Sequence, residues 1–533
     1  MRVLRLLLAA IVGSLLACAV PLDPPPAGPA TGEGPPHTGG VLRLSSAADV
    51  AQLDPAKGYD ETSWLFEQMI FDTLVGYDEG TRIVPQLAAS WEVSPDGRRY
   101  TFQLRDGVRF STGRPCTAAD VKYSFERVLT PAVHSLGTEF FAGIDGAAEF
   151  AAGRAPDVRG IEVAAPDRLA ITLAEPDPLF LDKLTMPFGS VVDRETVERE
   201  GEGAFVRHPV GTGAFRLVEW MQGQYLRLER NPFYYRTGLP YLDGIEATIW
   251  LSEQLAWFRY QRGELDIASI PSAEFFRVTS DPRYVPLLVR RVTMRTQYLG
   301  LNCAMAPFDR LAVRDAVARA IDKERVLQLL DGRGVVAHTI LPPTMPGYDP
   351  ELTTPAYDPD AARRELASVD PRGLQVTLWS QRDDGPLRVA QSIQQDLAAI
   401  GMTVRIKPVD FPALIEAVRY PAQVPMFLLG WEADFPDPSN FLSVLLHSRG
   451  QGRNNNTFYG SRAVDALLDL AGAEPAPARR HRLFRKAEAR ILRDVPWVPL
   501  YHPASVVVRH PRVRGYALHP LRPARFETVW LAW

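Results

Sequence analysis

The residue types most able to do chemistry in this chain gather in one short segment, "GWEADFPDPSNFL", which runs from Gly430 to Leu442. It follows an apolar run, "VPMFLL", that is typical of a buried strand. Carboxylates at the end of such a strand can hold a cationic group through charge-assisted hydrogen bonds. Two of them, Glu432 and Asp434, could also form the acid pair of a glycosidase. The prolines account for a turn, but a turn needs neither the tryptophan nor the acids, so the segment predicts a site.

The rest of the chain gives little support to catalysis. It has no G-x-S-x-G, H-E-x-x-H or phosphate-loop pattern. It has no C-x-x-C spacing and its nine histidines are scattered, so we predict neither a metal site nor a cofactor. The 59 basic and 63 acidic residues give a net charge of −4, which lacks the basic footprint of a nucleic-acid-binding protein. The absence of these patterns is weak evidence against catalysis, and no enzyme is expected.

The N-terminus has the pattern of an export signal. Residues 1–17 begin with two arginines and continue in an apolar run that is too short to span a membrane as a mature helix. The run ends "LLAC", which resembles the bacterial lipobox, so we expect Cys18 to be lipidated and to tether the chain without spanning the membrane. A plain secretory signal with a chance cysteine is the alternative. The predicted location is extracytoplasmic, anchored to the bacterial cell membrane on its periplasmic side or at the cell surface.

Two other features follow from export. Residues 18–39 are rich in proline and glycine, which predicts an extended spacer between lipid and globule. Cys116 and Cys303 are in a compartment that permits a disulfide, but the sequence does not decide whether they pair, and we favour two buried free thiols.

The 533 residues suffice for two or three lobes with their own cores, and the hydrophobic pattern predicts mixed α/β structure. In the first half, "VLRLSS" reads as a strand and residues 60–75 as a helix with one apolar face. "RRYTFQLRDGVRF" reads as two strands around an Asp106-Gly107 turn, and Thr117 with Asp120 is placed to cap a following helix. In the second half, strands and helices alternate from residue 374 to residue 431, which predicts βαβ units and a parallel sheet.

In such open sheets ligands bind beyond the carboxyl ends of the strands. We therefore expect Trp431 and Asp434 at the mouth of a cleft.

Several blocks of the sequence resemble the extracytoplasmic solute-binding proteins of family 5, which serve peptide and nickel ABC transporters. They are "LAASWEVSPDGRRYTFQLRDGVRFSTGRPCTAADVKYSFERVL", "HPVGTGAFRLVEW" with "LERNPFYY", "LGLNCAMAPFDRLAVRDAVARAIDKERV", and the opening segment itself. The last is similar to the family pattern G-W-x-A-D-Y-P-D-P, with Phe435 in place of tyrosine. The resemblance covers residues 40–533 in family order.

The resemblance implies the type II fold of periplasmic binding proteins: two α/β lobes that close about a hinge, with a third, smaller domain. By order along the chain, the first lobe takes residues 40–75, 207–295 and 503–533. The extra domain with the signature block takes residues 76–206, and the second lobe takes residues 296–502. Two crossing strands, "TQYLGLN" and "WVPLYH", would form the hinge.

The resemblance also implies site residues. In the peptide binders the acid of the A-D-Y segment pairs with the α-amino group of the ligand, and here that acid is Asp434. Trp431 is expected to wall the pocket or pack beside the ligand. Phe411 falls where these binders place an aromatic in a side-chain pocket, and Ser63 and Trp64 are further candidates at the start of a first-lobe helix.

Two departures from the family pattern affect the ligand. The arginine that holds a peptide carboxylate in some receptors is Leu428 here, and a histidine used for longer peptides falls near Gly385. Arg382 or Arg388 could substitute. The ligand is then either a longer peptide with a free far end or a cationic solute that is not a peptide.

The implied function is capture of a peptide or peptide-like cationic solute and its delivery to a membrane permease by a monomeric lipoprotein. An extracytoplasmic sensor or chaperone-like peptide binder with the same fold is the alternative, and a secreted hydrolase is a weaker one.

Overall fold

The computed structural model describes residues 34–367 and 374–532. The predicted signal sequence, the predicted lipidation at Cys18 and most of the predicted spacer lie outside these residues. Among the described residues the chain forms two α/β lobes and a smaller third domain, so the predicted fold class is confirmed. The exact boundaries given above remain a prediction. No helix of this part of the chain is long and apolar enough to cross a membrane.

The first lobe is built on a four-stranded sheet. Its strands, in spatial order, are Val41–Ser45, Gly244–Thr248, Tyr225–Arg230 and Phe215–Met221. The helix Glu61–Ile70 packs on this sheet through Phe66, Met69 and Ile70, which are fully buried. The apolar pattern predicted a longer helix, but it ends at Phe71, whose backbone is extended. The lobe also holds the helices Glu253–Gln261 and Ser272–Ser280.

The third domain is an antiparallel sheet of four strands covered by a helix. The strand order is Ala88–Val93, Arg99–Leu104, Arg168–Thr172 and Ile161–Ala165. The helix Ala118–Leu129 starts as predicted, because the main-chain N–H of Thr117 donates to Asp120 Oδ2 at 2.9 Å. The predicted strand after Gly107 is wrong: this stretch makes only an isolated bridge between Arg109 and Pro115. It turns back on residues 114–116 instead of continuing the sheet, since Cys116 N donates to Val108 O.

The second lobe has the predicted parallel strands at its centre. Gln375–Gln381 pairs in parallel with Thr403–Val409 on one side and with Met426–Glu432 on the other. The helices Asp384–Ala399 and Phe411–Val418 connect them, and Ala390, Ile393 and Leu397 are buried as expected. The remaining helices of eight or more residues in this lobe are Leu311–Ala320, Pro359–Leu366, Ser439–Leu446, Arg462–Ala473 and Pro477–Asp494.

A long strand, Trp497–Arg509, links the two lobes. Its first half pairs with Arg295–Leu301, which in turn pairs with Met426–Glu432 in the second lobe. Its second half pairs with Leu288–Val292 and Ile267–Ser269 on the first-lobe side. The two crossing segments expected from the sequence are therefore neighbouring strands of one sheet, a geometry that allows bending between lobes.

The two cysteines of this part of the chain are free thiols. Burial raises the pKa of Cys116 well above its ordinary value and that of Cys303 to about 11. Neither is therefore a reactive thiolate at neutral pH.

Candidate functional site: an acidic cleft between the lobes

The cleft between the lobes begins where the strand Met426–Glu432 ends. The first four residues of this strand are buried, and its last two, Trp431 and Glu432, pair with Thr296 and Arg295 of the crossing strand. The chain then turns through residues 433–438 into the helix Ser439–Leu446. This placement confirms the geometric expectation that the acidic segment follows the carboxyl end of a central strand.

Asp434 lies on the wall of the cleft with both carboxylate oxygens engaged by neutral donors. Tyr59 Oη donates to Oδ1 at 2.9 Å, and Asn440 Nδ2 donates to Oδ2 at 3.2 Å. Asn440 also accepts from Trp431 Nε1 at 2.9 Å and from the main-chain N–H of Asp434 at 3.2 Å. The carboxylate is thus held in place, but within the described residues no ion pair balances its charge.

The opposite wall comes from the first lobe, around the start of the helix Glu61–Ile70. Tyr59 and Trp64 line the cleft, and their rings lie 5.5 Å apart. Trp64 is fixed because its Nε1 donates to Gly58 O at 2.9 Å. Ser63 is fully buried, and its hydroxyl donates to the helix-capping Asp60 at 2.6 Å. Ser63 therefore lies behind this wall.

Between these walls is a space of about 710 Å³, large enough for a small peptide or a ligand of similar size. Its acidic members are Asp60, Glu61, Glu432 and Asp434. Its basic members among the described residues are Arg295, His519 and Arg522. Burial lowers the pKa of His519 to about 4, so this imidazole is neutral at physiological pH.

Glu432 and Glu61, which come from different lobes, both line the cleft. Burial, followed by the nearby charge of Glu61 from the other lobe, raises the pKa of Glu432 above its ordinary value. Arg295 opposes this shift, but its closest approach to the carboxylate is 3.9 Å. Carboxyl groups from the two lobes therefore act on each other in this arrangement, and a cation between them would relieve the repulsion.

The second half of the acidic segment has a different task. Asp437 and Arg480 are 6% and 4% exposed, and two guanidinium nitrogens donate to the two carboxylate oxygens at 2.8 Å each. The same guanidinium donates to Ala471 O and Gly472 O near the end of a neighbouring helix. This buried pair ties the turn to the helices of the second lobe.

The other predicted site residues do not line the cleft in this conformation. Trp431 packs against the core of the second lobe, and Phe411 is 51% exposed at the start of its helix. Leu428 is buried inside the second lobe, which excludes it from ligand contact. Arg382 is 62% exposed and pairs with Asp410 at 2.8 Å, away from the cleft lining.

Residues of the site that sequence reasoning missed include Tyr59, Asn440 and Arg522. Asn440 stands in the quoted segment, and its polar side chain beside the acids was the only available signal. Tyr59 and Arg522 contact Asp434 although they are 375 and 88 residues from it in the sequence, and no local sequence pattern predicts such contacts. No cluster of potential metal ligands occurs in the part of the chain that the structure describes.

Comparison with known proteins agrees with this architecture. Residues 82–453 match the bacterial extracellular solute-binding proteins, family 5. Heme-binding protein A of Haemophilus influenzae is 31% identical over 492 residues, covering 88% of each chain. Di/tripeptide-binding protein 2 of Pseudomonas aeruginosa is 30% identical, covering 92% of this chain and 95% of its own length. The structure of clavulanic acid biosynthesis oligopeptide binding protein 2 superimposes with a TM-score of 0.84 at 28% identity, covering 93% of this chain and 96% of the other.

The match to the family spans well over half of the chain, and the relatives that it resembles are binding proteins. The two-lobed fold and the cleft at the carboxyl end of the central strands agree with that result. The chain belongs to the bacterial extracellular solute-binding proteins, family 5.

Proposed function

We propose that this protein is the substrate-binding lipoprotein of an ABC importer, and that it captures a peptide or peptide-like cationic solute between its lobes. The observation that carries the proposal is the carboxylate of Asp434 on the cleft wall, which makes no ion pair with the described residues and is hydrogen-bonded to the opposite lobe. An ammonium group would form a charge-assisted hydrogen bond there, and closure would exclude water from it. Relatives named for di- and tripeptides and for heme support a solute-binding role, with a ligand class that varies within the family.

The proposed cycle follows from the position of Asp434 between two lobes. In the open form the solute meets the second-lobe wall with Asp434. Closure then brings Tyr59, Trp64 and Glu61 over the solute, so the closed state binds it better than the open state. The closed protein, tethered through Cys18 outside the cytoplasm, would dock as a monomer on its permease and release the solute.

The remaining predicted ligand residues have distinct parts in this proposal. Trp64 walls the cleft and offers a large apolar face to the solute. Trp431 and Ser63 position other residues of the site. Trp431 donates a hydrogen bond to Asn440, which in turn donates to Asp434, and Ser63 donates to the helix-capping Asp60. A direct contact of Phe411 with the ligand remains a prediction.

The test begins by identifying the solute that co-purifies with the protein, by native mass spectrometry. The affinity of that solute, and of a panel of free-amine and N-acetylated dipeptides, is then measured by calorimetry. We expect acetylation and the Asp434→Asn substitution each to weaken binding at least tenfold, or about 1.4 kcal/mol. Asp410→Asn is the matched control, because this exposed aspartate pairs with Arg382 outside the cleft lining.

Equal affinities of wild type and the Asp434→Asn variant would overturn the proposal. So would a co-purifying solute without a cationic group. Turnover of a peptide or glycoside by the purified protein would instead favour a hydrolase.

A further inference from the structure

The strongest unexplained group in the cleft is the guanidinium of Arg522. The residue is only 9% exposed, and Nη2 donates to Asp434 O at 2.9 Å and to Thr185 Oγ1 at 3.5 Å. Its Nε and Nη1 are buried and have no hydrogen-bond acceptor among the described residues. A buried cation without an ion pair is costly, and burial lowers the pKa of Arg522 below its ordinary value.

Aromatic rings lie beside the guanidinium of Arg522, but no carboxylate of the described residues is in contact with it. The rings of Trp64 and Tyr77 lie 5.2 and 6.0 Å from the guanidinium carbon. The nearby carboxyl of Asp182 accepts from Tyr77 Oη at 2.9 Å, and burial raises its pKa to about 7. The two carboxylate oxygens of Asp434 accept hydrogen bonds from Tyr59 and Asn440. No ion pair to Arg522 forms within the described residues.

Nε and Nη1 of Arg522 can only donate hydrogen bonds, so each of them requires an acceptor. Arg522 lines both the cleft and a second, smaller pocket of about 50 Å³. Water in that space could satisfy one of the hydrogen bonds, but water does not balance the charge. A carboxylate does both, and the planar fork of a guanidinium fits it.

Resting on the function proposed above, we propose that Arg522 binds a carboxylate of the ligand and that the cleft thereby recognises a zwitterionic amino-acid head group. The ammonium would bind Asp434, and a carboxylate on the same carbon would bind Arg522. The two groups must be close together, because Arg522 is hydrogen-bonded to the main chain of Asp434 itself. Parting of the lobes at the Tyr59–Asp434 contact would admit the head group before closure.

The charge balance of the closed form explains why both ligand charges are needed. The charge of Asp434 acts on Arg522 although no hydrogen bond joins their ionic groups. A ligand with an ammonium alone would neutralise Asp434 and leave Arg522 buried with less compensation. A ligand with both groups would balance both residues. A first residue that is joined to the next one through its side-chain carboxyl keeps both a free α-ammonium and a free α-carboxylate. In an ordinary peptide the α-carboxyl of the first residue is part of the peptide bond, so only the ammonium is free.

Two isomeric dipeptides test this inference with equal composition and charge. γ-Glutamyl-alanine keeps the free carboxylate on the ammonium-bearing carbon, and α-glutamyl-alanine carries it at the end of the side chain. We expect the wild-type protein to prefer the γ isomer by about tenfold in calorimetry, the size expected for one charge-assisted pair. The Arg522→Gln variant should lose this preference, and the exposed Arg382→Gln variant should keep it.

The wild-type comparison stands even if the Arg522→Gln variant fails to fold. Equal affinities of the two isomers, a preference for the α isomer, or binding of neither would overturn the inference. If the isomers bind equally while Asp434→Asn weakens both, the inference fails and the proposed function stands. If Asp434→Asn changes neither affinity, the proposed function fails.

Discussion

Asp434 and Asp437 are three residues apart in one loop, yet they belong to two regions with opposite properties. Asp437 faces the interior of the second lobe, where Arg480 fills both carboxylate oxygens with charged donors at 2.8 Å. Asp434 faces the cleft, where its partners Tyr59 and Asn440 are neutral. Asp437 has an ion pair inside the protein, whereas Asp434 makes no ion pair with any of the described residues. The segment therefore stabilises the second lobe with Asp437, and in the proposed function it binds the ligand with Asp434.

The largest effect should come from breaking the core-facing pair. We expect Asp437→Ala to lower the free energy of unfolding of the second lobe by about 3–5 kcal/mol, because Arg480 would remain buried without its counter-charge. Urea unfolding followed by fluorescence measures this change. Asp434→Ala is the matched comparison and should cost less than about 1 kcal/mol in the same experiment, since Asp434 is half-buried with neutral partners. Similar losses of unfolding free energy in the two variants would contradict the contrast between Asp437 and Asp434.

A smaller effect is expected when the support of Asp434 is removed. Asn440→Ala takes away the donor to Asp434 Oδ2 and the acceptor for Trp431 Nε1. We expect the affinity for an amine-bearing solute to fall about tenfold, because the carboxylate loses its fixed orientation. Asn440→Asp keeps the acceptor for Trp431 Nε1 but places a second negative charge beside Asp434. This variant therefore separates the contribution of the Trp431 hydrogen bond from that of the donor to Asp434. Unchanged affinity in both variants would mean that Asn440 only supports the fold.

Tyr59→Phe should act on closure. The hydroxyl of Tyr59 forms one of the hydrogen bonds to Asp434 that join the two lobes, and a hydrogen bond of this kind is worth about 1 kcal/mol at most in an exposed setting. We expect the ligand-free variant to populate the open form a few-fold more than wild type, which small-angle scattering would register as a larger radius of gyration. An identical scattering profile of the two proteins would show that other contacts hold the lobes.

The smallest effect concerns pH and Glu432. Its pKa is raised in this closed arrangement by burial and by Glu61, so the closed form holds a proton more tightly than an open form with the two residues apart. Ligand-free closure should therefore be strongest below the ordinary glutamate pKa and weaken as pH rises through the raised value. Scattering across this pH range measures the shift, and Glu432→Gln should flatten it. A steeper dependence in that variant would contradict this assignment.

Much of the fold followed from local patterns. The capping pair Thr117–Asp120, the helix Asp384–Ala399 with its buried face and the parallel strands around it each depend on residues close in sequence. Where tertiary contacts decided, prediction failed: the helix Glu61–Ile70 ends before Leu74, and the stretch after Gly107 folds back on itself.

The site shows the same division. Asp434 could be placed because it follows an apolar strand and stands in a recognisable segment. Tyr59 and Arg522 could not, because their roles arise only when distant parts of the chain meet in the cleft. Phe411 shows the converse: the family resemblance suggested that it lies in a side-chain pocket, yet its side chain is half-exposed in this conformation.

The most direct measurement is a crystal structure of the protein with its co-purifying solute in the closed cleft. We predict a ligand ammonium nitrogen within hydrogen-bond distance, about 2.7–2.9 Å, of the Asp434 carboxylate. A closed complex in which that carboxylate still contacts only Tyr59 and Asn440, with the solute bound elsewhere, would contradict the account.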